Sequence, residues 1–95
     1  MNAIQVTYTD QHLRILIEEF IAMQRSSFTF KGVCSYILYR AMEEGRTVNN
    51  GIYESNQLQI EDCDRVKSIL QKIVYEGRLT TVAEPYEDDT VLTKK

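Results

Sequence analysis

EDCDRVKSILQKIVYEGRLTTVAEPYEDDTVLT, residues 61–93, is the stretch whose reading decides the fold. Cys63, Val66, Ile69, Leu70, Ile73 and Val74 recur at steps of three and four, which draws a single apolar stripe along a helix. Glu61, Asp62 and Asp64 stand in the first turn, where the positive end of the helix dipole favours carboxylates. Gly77 stops the helix, because glycine takes a left-handed backbone at a C-cap without steric cost. Residues 78–83 and 90–93 are rich in Leu, Val and Thr, and residues 84–89 between them hold the only proline and four acids. That pattern predicts strand, loop, strand.

The rest of the chain supplies helices for this unit to pack on. A second helix is expected from about Phe30 to Glu44, capped by Thr29, ended by Gly45 and buried along Cys34, Ile37, Leu38, Ala41 and Met42. Phe28-Thr29-Phe30 before it reads as a very short strand. A first helix runs from Thr9 or Asp10 as cap to about Gln24, with Leu13, Leu16, Ile17, Phe20 and either Met23 or Ile21 as its stripe. Phe20, Ile37, Leu38, Ile69, Leu70 and Ile73 are expected to meet in one core. Ile15 and Ala22 lie off the stripe of the first helix, and Ile4, Val6 and Tyr8 alternate with Gln5 and Thr7 in an N-terminal arm or strand over residues 1–8. This surplus of apolar surface predicts a homodimer through Ile4, Val6, Tyr8, Ile15 and Ala22. The competing reading folds the arm back over its own helix. Residues 46–60 are open: Asn49-Asn50-Gly51, flanked by Val48 and Ile52-Tyr53, reads as a hairpin turn or as part of a long polar loop. Lys94-Lys95 reads as a frayed tail.

At 95 residues the chain is one domain, residues 1–95, with room for a single modest core. No apolar run approaches a membrane span and the polar-spotted start is no signal peptide, so a cytoplasmic protein is expected. Cys34 and Cys63 both fall on apolar stripes and read as small hydrophobes; nothing in their spacing calls for a disulfide. A net charge of −3 argues against non-specific grip on nucleic acid, although the placement of charge matters more than its total.

The order helix, short strand, helix, helix, hairpin resembles the winged-helix variant of the helix-turn-helix group, over about Thr9 to Thr93. The run Ser68-Ile69-Leu70-Gln71-Lys72-Ile73-Val74-Tyr75-Glu76-Gly77-Arg78-Leu79 looks like the end of a third helix whose glycine leads into a wing. Phe28-Thr29-Phe30 looks like the brief strand before the second helix. The resemblance implies an α+β, mainly α fold with three helices, short strands and a C-terminal β-hairpin wing. It also implies a third helix placed in the DNA major groove. Arg65, Lys67, Ser68, Gln71 and Lys72 on that helix, with Arg78 and Lys94 at the wing, are the matching positions, and their types suit phosphates and base edges. The chain departs from the pattern in the acids Glu61, Asp62 and Asp64, in an acidic wing tip (Glu84, Glu87, Asp88, Asp89), and in the length of residues 46–60 where a helix-turn-helix has a tight turn.

Enzymatic signatures are absent: there is no GxGxxG, no GKS/T and no GxSxG, so no catalytic residue and no cofactor is expected. His12 has no neighbouring ligand pattern, so no metal is expected either. Two functions are compatible with the sequence. One is a small DNA-binding transcriptional regulator, which the exposed side shared by Arg65, Lys67, Gln71 and Lys72 favours. The other is a protein-binding module of the same fold that uses Tyr36, Tyr39 and Arg40 on the outer face of the second helix, or the acidic wing.

Overall fold

The computed structural model describes residues 3–48, 57–81 and 86–95. Within them lie three helices, α1 (Asp10–Met23), α2 (Phe30–Glu44) and α3 (Ile60–Tyr75), and three strands, β1 (Ser27–Thr29), β2 (Leu79–Thr81) and β3 (Val91–Lys94). The fold is α+β and mainly α. The Asn49-Asn50-Gly51 turn, Val82 and Ala83 of the expected strand, and Glu84 of the acidic loop lie outside the described residues.

α1 and α2 start, and α3 stops, where end groups find partners. The Thr9 hydroxyl accepts the His12 N–H at 3.1 Å and the Thr29 hydroxyl accepts that of Gly32 at 3.0 Å, so both threonines act as N-caps. The start of α2 is closed further by the Phe30 N–H to the Thr90 carbonyl (2.9 Å) and the Lys31 N–H to the Asp88 carbonyl (3.0 Å). At the end of α3, Gly77 takes φ 83°, its N–H returns to the Val74 carbonyl, and the Arg78 N–H returns to that of Ile73. This is the paired hydrogen-bond pattern of a Schellman cap. It turns the chain directly into β2.

The sheet is antiparallel in the order β1-β3-β2, with Phe28 opposite Leu92 and Leu79 opposite Lys94. Phe28, Leu79 and Leu92 are buried, so one face of this small sheet closes the helical core. The core holds Ile37, Leu38, Ile69, Leu70 and Ile73 as expected, with Phe20 packed at its edge against Phe28 and Tyr36. The open choice on α1 is settled, and the phase of α2 needs correction. On α1 the stripe ends in Ile21, and Met23 is exposed; on α2, Phe30 and Val33 are buried, while Cys34 is half-buried and Met42 exposed. On α3 the buried set includes Asp62, and Cys63 and Val74 lie at its margin. A periodic stripe leaves a helix free to roll by a residue, and tertiary packing, with Tyr86 against Phe30, settles the roll on α2.

The N-terminal arm belongs to the core of its own chain. Ile4, Val6 and Tyr8 are each at most 3% exposed, which withdraws them from the expected homodimer contact; Ile15 and Ala22 remain exposed. The reason is backbone pairing. The Ile4 N–H bonds to the Gln57 carbonyl and the Gln59 N–H to the Ile4 carbonyl, while the Thr7 N–H bonds to the Arg46 carbonyl and the Val48 N–H to that of Gln5. The arm therefore runs as an extended segment between the two ends of the long α2–α3 connection, with isolated bridges Ile4–Leu58 and Val6–Thr47. Its amides could not be buried without these partners.

One carboxylate pins the arm. Asp62 is 3% exposed, and it accepts the Val6 N–H at 2.9 Å and an Arg65 guanidinium N–H at 2.9 Å. Arg65 also donates to Asp10 at 2.8 Å and to the Tyr8 carbonyl. Removing one partner from such a cluster leaves desolvated polar groups unpaired. Asp62→Ala is expected to cost about 3 kcal/mol, an estimate from charged hydrogen bonds and broken buried pairs. Urea unfolding checks it, and a loss below about 1 kcal/mol would mean that the carboxylate is not holding the arm.

Candidate functional site

α3 leaves one of its faces exposed. Val66, Ile69, Leu70 and Ile73 fix its inner side, so Asp64, Ser68, Gln71, Lys72 and Tyr75 fall on the outer one, with Lys67 at the edge facing α2. Ser68, Gln71 and Lys72 are exposed. Lys67 reaches over the Phe30 ring, its ammonium 5.7 Å from the centroid and 3.9 Å from Asp64. Lys72 makes no ion pair among the described residues. These four polar residues form one surface.

Three further cations of the expected DNA contact, Arg65 on α3 and Arg78 and Lys94 at the wing, are engaged by partners within the fold. Arg65 is turned toward the arm and the start of α1, held by Asp10, Asp62 and the Tyr8 carbonyl. Arg78 grips Glu18 of α1 with two guanidinium nitrogens, one of them at 2.6 Å. Lys94 donates to the Gln24 carbonyl at 2.9 Å. The pattern that suggested them is residue type at a matching position, and type does not say which acceptor lies closer. Asp62 shares this outcome: it is a buried partner of Arg65 and Val6, and adds no repulsion at the outer face.

The residues expected for a protein interface are divided likewise. Tyr36 donates its hydroxyl to Glu19 at 3.2 Å, and Arg40 bonds Glu19 at 2.7 Å, Glu44 at 2.8 Å and the Tyr36 hydroxyl at 2.8 Å. Both therefore stitch α2 to α1. Tyr39 is 61% exposed, one turn from exposed Met42. A residue missed by the sequence reading is Tyr75, 95% exposed at the end of α3. Its spacing from Ser68, Gln71 and Lys72 places it on their face, and that signal was present in the sequence.

Only residues 86–89 of the acidic loop are among the described residues. Residues 86–90 lie on the start of α2, with Tyr86 buried beside Phe30 at 6.1 Å between ring centroids and the Glu87 N–H donated to the Thr90 hydroxyl at 2.7 Å. The side chains of Glu87, Asp88 and Asp89 stay exposed. His12 packs its ring on Tyr8, centroids 4.6 Å apart. Among the described residues no group of three or more His, Cys, Asp or Glu is placed to hold a metal ion, and no helix is long and apolar enough to cross a membrane.

The chain matches no protein family, curated protein or solved structure with which it was compared.

A cluster on the flank of α1 responds to pH. Arg78 and Arg14 both bond Glu18, and Arg14 reaches Glu76 at 2.7 Å. Hydrogen bonding from Arg78 is the main reason the Glu18 carboxyl titrates below the ordinary glutamate range; burial opposes it. A carboxyl lowered in the folded state stabilises fully above its unfolded value and loses that contribution as the pH falls through the folded one. Acidification from about pH 6 to about pH 3 should therefore lower the melting temperature, and Glu18→Gln should make that fall shallower. Equal falls for the two proteins would remove Glu18 from the account.

Proposed function

We propose that the chain is a winged-helix-like domain of the cytoplasm that has no enzymatic activity and binds double-stranded DNA, as a transcriptional regulator, through the outer face of α3. The observation that carries this reading is that α3 buries one side and leaves Lys67, Ser68, Gln71 and Lys72 together on the other, then turns at Gly77 straight into the β2–β3 pair. A helix is about the width of the major groove, and the Gln71 amide suits the paired donor and acceptor of adenine there. Lys67 and Lys72 serve as the phosphate contacts. Tyr75 extends the face with a ring and a hydroxyl. Arg65, Arg78 and Lys94 hold the fold and stay out of the contact.

A second reading rests on Tyr39 and Met42. Two large side chains exposed one turn apart on α2, in a chain whose net charge is −3, suit a protein partner. In that case the α3 face is ordinary solvated surface.

Salt dependence separates the two. Two phosphate contacts predict a slope of log affinity against log salt of about −2, whereas the five cations suggested by sequence alone predict a slope between about −4 and −5. Titrating a mixed-sequence duplex between about 50 and 200 mM salt should therefore cost about tenfold in affinity. Lys67→Ala and Lys72→Ala should each reduce the slope by about one, and Gln71→Ala should relax sequence preference instead. A slope between about −4 and −5 would show that Arg65, Arg78 and Lys94 are released by their partners and join the contact. Absence of binding at the lowest salt would pass the function to the protein reading, in which Tyr39→Ala abolishes capture of a partner.

A further inference from the structure

Where the first half of α2, the start of α3 and the loop before β3 come together, the fold leaves a cavity of about 350 Å³. Small-ligand pockets begin at about this size and combine an apolar lining with a few placed polar groups. The apolar part here includes Leu58, which is buried, and Ile60, which is 73% exposed. No other large aliphatic side chain among the described residues is as exposed as Ile60, and beside a cavity it is apolar surface that a ligand can cover. The Cys63 thiol donates to the Leu58 carbonyl at 3.8 Å, so its hydrogen has a partner and the sulfur lines the cavity as a small hydrophobe.

The polar part is a pair of opposite charges. Lys31 and Asp88 both line the cavity, and both are exposed. The Lys31 N–H bonds to the Asp88 carbonyl at 3.0 Å, which sets the two residues side by side at one edge. No ion pair joins their side chains, and neither makes one with any other described residue. An ammonium and a carboxylate rooted together but left unpaired suit a ligand that carries both charges on one carbon. A simple carboxylate would bring its charge up against Asp88, and a simple amine would bring its own against Lys31. We propose that this cavity binds a free α-amino acid with an aliphatic side chain, its carboxylate on Lys31, its ammonium on Asp88 and its side chain on Leu58 and Ile60.

The cavity takes only Ile60 and Cys63 from α3, so binding here is read without DNA and stands apart from the reading of the outer face. The test titrates the intact protein with L-leucine and follows the amide resonances. Saturating shifts centred on Ser35, Leu58 and Cys63 are expected, with a Kd of about 1 mM or tighter. Isoamylamine, which lacks the carboxylate, and isocaproate, which lacks the ammonium, should each bind about tenfold more weakly. Glycine, which lacks the apolar part, should also bind about tenfold more weakly. Lys31→Met should weaken leucine binding about tenfold and remove its advantage over isoamylamine; Asp88→Asn should do the same against isocaproate. Both side chains are exposed and outside ion pairs, so the two variants keep the wild-type fold, which their unliganded spectra check. The proposal is overturned if leucine does not saturate a site by about 10 mM, or if the shifts fall elsewhere on the chain. It is overturned equally if glycine or either single-charge analogue binds as well as leucine, or if both variants bind leucine as the wild type does.

Discussion

The carboxylate of Asp62 is the constraint on which the rest of this structure depends. Burying an ionised group is costly unless its lone pairs are met by donors, and here they are met by the Val6 amide and the Arg65 guanidinium. Arg65 in turn bonds Asp10 and the Tyr8 carbonyl. The arm and the start of α1, which follow one another in the chain, are thereby joined at one point to the start of α3, some fifty residues further on. The consequence reaches further than the cluster. Once the arm is pinned, its edges are available to residues 46–48 on one side and residues 57–59 on the other, and the long connection between α2 and α3 acquires a backbone to pair with.

The surface charges follow a similar logic at lower energy. Arg14, Glu18, Glu76 and Arg78 form one group on α1 and the end of α3, and Glu19, Tyr36, Arg40 and Glu44 form another along α2. Solvent-exposed pairs of this kind add little to stability, so their main effect is on where the cations point. They draw the arginines inward to neighbouring helices. The outer side of α3 keeps two lysines, an amide, a hydroxyl and the ring of Tyr75, with Asp64 among them. Any anion that approaches this face meets a weak field rather than a strong one, and selectivity has to come from shape and hydrogen bonding.

Much of the fold was legible because local signals agreed. Thr9 and Thr29 as caps, Gly45 and Gly77 as stops, and the stripes of Ile37, Leu38, Ile69, Leu70 and Ile73 all depend on neighbours within a turn or two. The Phe28 strand was legible for the same reason. What was not legible depends on partners distant in the chain. Asp62 looked like a dipole-favoured first-turn acid, which it also is, and nothing nearby marks it as the acceptor for Val6. The arm could be assigned as extended but not to its own chain, since alternation shows a strand without naming what pairs with it. Arg65 and Arg78 were read by type and helical position, and their acceptors, Asp10 and Glu18, lie on another helix. Tyr75 was within reach of the sequence reading and was passed over.

The central claim is that the arm is an integral, backbone-paired segment of the fold, held by Asp62. Native-state hydrogen exchange at the Val6 amide tests this most directly, because that N–H is donated to the buried carboxylate. If the account is right, Val6 exchanges only through global unfolding and shows the same opening free energy as the core amide of Leu70 in α3. Exchange at Val6 approaching the rate of a frayed terminus, with Leu70 still protected, would contradict it.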